Sequence, residues 1–204
     1  MPSKTSTWRQ ALAVLAVVVP ICWAWPGRTA AVGGVDFPAR IQRDGVPLVL
    51  VGVGLREATL LRVDVYALGV YAPTRQCDGA ALLAGDEPGL LRLDFLRTVS
   101  AARLRDELAD SFARRLPADA APDLAGRVQA FLALLSADAH AGTRVELAYR
   151  PGHGTALSVD GVPRGAVPGP DFRRLLWSLW FGASPCCPEV LEGVRATCSG
   201  AGDA

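Results

Sequence analysis

Residues 48–72 read LVLVGVGLREATLLRVDVYALGVYA, a run that is apolar and β-branched almost throughout, with Arg56 in its middle just after Gly52 and Gly54. Alternation resumes at Arg62-Val63-Asp64-Val65-Tyr66 and runs into Ala67-Leu68-Gly69-Val70-Tyr71. A run this rich in Val, Leu and Tyr, punctuated by glycine, predicts two or three adjacent strands from the centre of a sheet. One strand covers Val46–Val53 and turns at a Gly-rich corner beside Arg56, so the sheet carries a cation toward a pocket.

The flanks extend the same pattern. Val35 to Arg43 alternates as a half-buried strand, and Pro38 places it at an edge, where a missing backbone donor is tolerated. Asp44-Gly45 is a hairpin signal, because both central positions of such a turn need positive φ. Residues 73–89 are turn-rich, with one helical turn at Gly79–Ala84. Leu90–Thr98 is a further strand. Ser100 then caps a helix whose Leu104, Leu108, Phe112 and Leu116 share one face, with Arg103/Glu107 and Asp110/Arg114 spaced for ion pairs on the other. Pro122 opens a second helix, with Leu124, Val128, Phe131, Leu132 and Leu135 as its apolar stripe. Three short strands follow, Thr143–Arg150, Thr155–Val159 and Val162–Val167, with Asp160-Gly161 as a second hairpin turn. Pro170 starts a helix to Phe181 that is apolar nearly all round and so is buried on several sides. A last helix runs from Ser184-Pro185 through Arg195. Strands, two helices, strands and helices in that order make an α+β plan with a mainly antiparallel sheet.

Length and charge narrow the function classes. The 204 residues are 50% hydrophobic with a formal net charge of +1, which suits one domain and gives no global pull toward nucleic acid or an anionic membrane. Lys4 is the only lysine among 21 basic residues, a compositional bias. Lys4 and Arg9 precede an apolar run, Ala11 to Trp25, of about fifteen residues, short of the roughly 20 that span a bilayer. With the small residues Thr29-Ala30-Ala31 this reads as a signal peptide over residues 1–31, cleaved after Ala31; an uncleaved N-terminal anchor is the alternative. Cys22 follows Val19-Pro20-Ile21, a poor lipoprotein box. A domain over residues 32–198 and a tail over 199–204 remain, in a periplasmic or secreted protein with no stable membrane span in the mature chain.

An oxidising compartment lets Cys77, Cys186, Cys187 and Cys198 pair. A bridge from Cys186 or Cys187 to Cys198 is expected, while the adjacent pair between Pro185 and Pro188 is alternatively a metal or redox device. No Cys-x-x-Cys spacing occurs, and His140 and His153 lie far from the cysteines, so neither a metal nor a cofactor is expected. Gly52-x-Gly54 is not a dinucleotide loop: Glu57 stands where the third glycine belongs, and strand-like residues follow where a helix must begin. Neither a nucleophile elbow, a P-loop lysine nor a histidine-based triad is found. Arg56 is the residue with chemistry to offer. A guanidinium in an apolar wall holds a carboxylate or stabilises a developing oxyanion; the competing reading is a structural pairing with Glu57, Asp64 or Asp94, or simple exposure at a strand end. Tyr66 and Tyr71 are core tyrosines first, and Trp177 and Trp180 core residues.

Leu50-x-Gly52-x-Gly54-x-Arg56, followed by Val65-Tyr66-Ala67-Leu68-Gly69-Val70-Tyr71, resembles the chalcone isomerase-like family. Gly152-His153-Gly154-Thr155, Asp160-Gly161 and the helix from Phe172 to Gly182 with Pro185 are similar to its exported bacterial branch. The resemblance implies an open-faced β-sandwich: a large antiparallel sheet covered by a layer of helices, with a ligand cleft between them. It also implies one of two activities. Plant members close chalcones to flavanones, using an arginine assisted by a threonine, a tyrosine, an asparagine and a further hydroxyl residue; other members bind fatty acids. Carried onto this chain, the arginine is Arg56 and the threonine position is Tyr66. The tyrosine and asparagine positions fall at about Leu104 and Ser111, and the late hydroxyl near Ser178 or Leu179. Only the arginine is kept, which favours binding of a small apolar or amphipathic anion over isomerisation, where Arg56 and Tyr66 would be the catalytic pair. A third reading is a structural or partner-binding protein whose cleft is closed.

Overall fold

The computed structural model describes residues 29–58, 63–117 and 122–200. The expected leader, except for its last three residues, and the end of the tail lie outside those residues. The chain opens with β1 (Thr29–Val32) and β2 (Val35–Pro38), an antiparallel hairpin of its own. Cleavage after Ala31 would leave only Val32 of β1 attached to the domain. The strand expected over residues 35–43 is two: Ala39 breaks it, and β3 (Arg40–Arg43) joins the main sheet instead.

β4 (Val46–Ala58) and β5 (Val63–Ala72) are the second and third of that sheet's seven strands, to one side of its middle rather than at the centre expected from the sequence. A short α1 (Gly79–Ala84) precedes β6 (Gly89–Phe95), and two helices, α2 (Ala101–Ala113) and α3 (Pro122–Leu134), precede the meander β7 (Arg144–Arg150), β8 (Gly154–Val159) and β9 (Val162–Val167). The chain ends in α4 (Pro170–Phe181) and α5 (Pro188–Gly200). The last helix begins later and ends later than the sequence suggested, because Pro188 rather than Pro185 takes the first helical position. Strand order is β3-β4-β5-β6-β7-β8-β9, every neighbour antiparallel. The two tightest connections, β3 to β4 and β8 to β9, are the Asp-Gly turns: Asp44 and Asp160 each adopt φ 50° ahead of their glycine.

The two faces of the sheet are covered differently. Tyr66, Leu68 and Val70 of β5 and Leu91, Leu93 and Phe95 of β6 point to the helices, where they meet Phe112, Phe131, Phe172 and Trp177 in the main core. Phe112, Phe131 and Phe172 stack on one another with centroids 5.4–6.3 Å apart. The opposite face carries a smaller core of Phe37, Leu48, Leu50, Tyr71 and Leu90 beneath the β1–β2 hairpin. There Arg92 lies 4.7 Å over the Phe37 ring and is neutralised by Asp94 at 2.6 Å, which Arg144 also reaches at 3.1 Å.

Ser100 caps α2 as expected, its hydroxyl accepting from the Arg103 amide at 3.3 Å. Arg103 and Glu107 pair at 2.7 Å, but Arg114 turns away from Asp110 and donates to the Ser111 hydroxyl instead. The disulfide is a correction. Cys77 bonds to Cys198, closing a separation of 121 residues, and Cys186 and Cys187 carry free thiols. The bridge fastens the end of α5 to the loop after β5, which chain proximity alone could not indicate.

Candidate functional site

β4 is continuous through Gly52, Gly54 and Arg56; no corner interrupts it. A bulge between Leu50 and Gly52 shifts the alternation, so Gly52, Gly54 and Arg56 fall opposite Val70, Leu68 and Tyr66, all on the helix-covered face. The glycines have a packing role. A Cβ on Gly54 would lie 2.9 Å from Cα of Val190, and one on Gly52 would lie 3.1 Å from Cα of Val194, both backbone atoms of α5. From the other side, a Cβ on Gly193 would come within 3.0 Å of Cα of Gly54. Helix and strand thus cross backbone to backbone through three missing side chains, a separation no larger residue permits.

That crossing sets Arg56 at the N-terminal end of α5. Its guanidinium donates to Glu189 at 2.8 Å and to the backbone carbonyl of Glu57. None of the three carboxylates considered from the sequence is its ion-pair partner; Asp94 is engaged by Arg92 and Arg144 on the other face. Both members of the Arg56–Glu189 pair are partly exposed, 23% and 32%. Burial acts to lower the Arg56 pKa, but the neighbouring Cys187 and Glu189 more than offset it, and the net shift is upward. The side chain is a permanent cation.

Tyr66 is its cross-strand neighbour. The Tyr66 hydroxyl is wholly enclosed: it accepts from Nε1 of Trp180 at 2.9 Å and lies 3.8 Å from Sγ of Cys187. Burial holds this phenol well above its ordinary range, and the two cysteines add to the shift. Trp180 and Cys187, read from the sequence only as core and cysteine-pair residues, therefore belong to the surroundings of Arg56. Glu189 had no sequence signal at all.

The remaining sequence candidates do not gather round the guanidinium through hydrogen bonds. Leu104 is partly buried against the main core. Ser111 is buried; its hydroxyl accepts from Arg114, and its carbonyl accepts from Arg115 at 2.8 Å. Ser178 donates to the Leu175 carbonyl at 2.6 Å within its own helix, and Leu179 is a buried core residue. Two surface grooves, of about 600 and 580 Å³, are lined respectively by residues including Val63, Asp64 and Arg97 and by residues including Arg40, Val51 and Arg75; neither reaches Arg56. Among the described residues no three His, Cys, Asp or Glu side chains group as metal ligands, and no helix is long and apolar enough to cross a membrane.

Residues 29–191 match the profile of the family described as chalcone isomerase-like. The chain belongs to that family. A fatty-acid-binding protein of Arabidopsis thaliana is 27% identical over 182 residues, covering 74% of this chain; the chain spans 63% of that relative's length. The crystal structure of an Arabidopsis thaliana fatty-acid binding protein superposes with a TM-score of 0.66 at 23% identity, covering 86% of this chain and 100% of that one. The large antiparallel sheet with its helix layer is thus the chalcone isomerase-like fold.

Proposed function

We propose that this protein binds a fatty acid or a similar apolar anion between the sheet and its helix layer, with Arg56 as the anchor for the headgroup. The observation that carries the reading is the ion pair at 2.8 Å between Arg56 and Glu189. The guanidinium on the helix-covered face already holds a carboxylate, and that carboxylate belongs to a helix seated over the apolar wall. A ligand carboxylate would take the place of Glu189 beside Arg56. The family's fatty-acid-binding relative supports this class of ligand. The arrangement is less suited to isomerisation, because the Tyr66 hydroxyl is enclosed and the Ser111 and Ser178 hydroxyls are committed to their own helices. The leader-like N-terminus and the Cys77–Cys198 bridge support an exported, periplasmic or secreted setting.

Displacement of cis-parinaric acid by a series from lauric to stearic acid tests the assignment. Arg56→Ala should abolish saturable binding. Glu189→Gln should tighten it by up to about fivefold, since a partly exposed ion pair is worth at most about 1 kcal/mol. Equal affinity in wild type and Arg56→Ala would exclude Arg56 as anchor. The close seating of α5 on β4 favours a second reading, a partner-binding protein with a closed cleft, and a wild type that takes up no probe would leave that one standing.

A further inference from the structure

Cys186 and Cys187 occupy the connection from α4 to α5, between Pro185 and Pro188. Their sulfurs are 2.7 Å apart, inside the distance at which two non-bonded sulfurs rest and beyond the roughly 2.05 Å of a disulfide. The two differ in access. Cys186 is exposed, whereas Cys187 is 3% exposed and faces Tyr66 from within the core. The connection is held on both sides: the Cys186 amide donates to the Leu179 carbonyl at 2.7 Å, and Arg115 of the turn after α2 donates to the Ser184 carbonyl.

We propose that Cys186 and Cys187 are a reversible dithiol–disulfide site that exchanges with small-molecule disulfides such as oxidised glutathione. The exposed Cys186 thiolate attacks one sulfur of the incoming disulfide, whose S–S bond breaks and releases the first thiol. The sulfur of Cys187 then attacks Sγ of Cys186, breaks the mixed disulfide and releases the second thiol. Two protein thiols are oxidised by two electrons to one disulfide, and the incoming disulfide is reduced to two thiols that carry away both protons. The roles follow from access, because only Cys186 can meet a partner from solvent and only Cys187 is in place to resolve the adduct.

The local electrostatics favour Cys186 as the thiol that attacks first. A hydrogen bond from Cys187, with the Arg115 and Arg56 guanidinium groups nearby, holds the Cys186 thiol below its ordinary range, while that same bond and burial push Cys187 up. Burial and, more weakly, Glu189 oppose the lowering at Cys186, and Tyr66 lies on the buried side. Reversibility follows from the backbone. Adjacent residues joined by a trans peptide have Cα atoms about 3.8 Å apart, below the usual 4.4–6.8 Å for a bridge. A ring closed there is strained and more reducible than Cys77–Cys198, whose Cα atoms are 5.6 Å apart. The site does not depend on the ligand assignment above.

The test equilibrates the folded full chain in glutathione buffers of graded oxidised-to-reduced ratio, followed by acid quench, alkylation with N-ethylmaleimide under denaturing conditions and tryptic mass spectrometry. Residues 175–195 form one tryptic peptide holding both cysteines and no other. Across the series this peptide should lose both alkylations together and become two hydrogens lighter, at a more oxidising ratio than the one that opens Cys77–Cys198. In Cys187→Ser, the peptide should stop at a single glutathione adduct on Cys186; in Cys186→Ser, Cys187 should stay unmodified by glutathione while the protein is folded. A wild-type peptide that stays doubly alkylated throughout, or that accumulates a lasting glutathione adduct, would overturn the proposal.

Discussion

Replacing Gly54 by alanine inserts a methyl group into the crossing of β4 and α5. That methyl would lie 2.9 Å from both Cα and Cγ1 of Val190 and closer still to the Val190 carbonyl oxygen. Carbon atoms rest at about 3.5–4.0 Å, so α5 must retreat by roughly 1 Å, and a gap of that size forfeits a quarter to a half of each contact's attraction. Val190, Leu191 and Val194 all lose along the seam. Gly54 has no positive φ, so the substitution carries no backbone strain of its own and the loss measures the seat alone. Adding bulk to a packed core costs about 1–3 kcal/mol; with backbone as the obstacle the upper part of that range applies, about 2–3 kcal/mol. In a domain of this size that lowers the thermal midpoint by about 4–12 °C. Circular dichroism melts and urea titrations of the disulfide-intact protein would read it. Gly126 of α3 is the control: an added Cβ there meets nothing within 4 Å, and Gly126→Ala should gain about 0.5–1 kcal/mol as an exposed helical position. If Gly54→Ala melts with wild type, or if Gly126→Ala loses as much, the seat does not hold α5 as described.

Two further outcomes follow from the same framework. Removing the bridge by Cys77→Ser with Cys198→Ser should lower the unfolding free energy by roughly 2–5 kcal/mol, since it frees a loop of 121 residues, as read from the urea midpoint without reductant. Asp171 binds Arg127 at 2.7 Å, and that bond holds its carboxyl below the ordinary range. A depressed folded pKa adds stability that is complete above the unfolded value of about 3.9 and fades as the pH falls through the folded one. Asp171→Asn should therefore be less stable than wild type at neutral pH, and the two urea midpoints should converge below about pH 4; a constant gap down to acid pH would assign the loss to something other than the charge.

What could be read in the chain was what neighbours decide. Leu104, Leu108 and Phe112 mark one helix face whatever they pack against, and Asp44-Gly45 and Asp160-Gly161 set their turns from within. Arg56 stands out as a cation within an apolar run, although the strand that bears it runs on to Ala58 instead of stopping at Val53. The misreadings share a cause, which is distance along the chain. Gly52 and Gly54 look like a corner until Gly193 and Val190, more than a hundred residues on, are laid against them. Glu189 lies 133 residues from Arg56, so nearer acids were the natural candidates for its partner. Cys198 is close in sequence to Cys186 and Cys187 yet bonds to Cys77, because α5 runs back along β4 to the loop that follows β5. Periodicity marks Trp180 as buried but carries no sign that its indole nitrogen donates to Tyr66.

The two ends of α5 are fastened unequally. A covalent bond holds Cys198, whereas an ion pair holds Glu189. A swing of the helix would pivot at the C-terminal end and would have to lift Val190 from its seat on Gly54. Nine residues of helix make an arm of about 13 Å, so a tilt of about 10° carries the Glu189 end some 2 Å away from Arg56. Little is displaced at the fulcrum, and the largest travel falls where the cation waits.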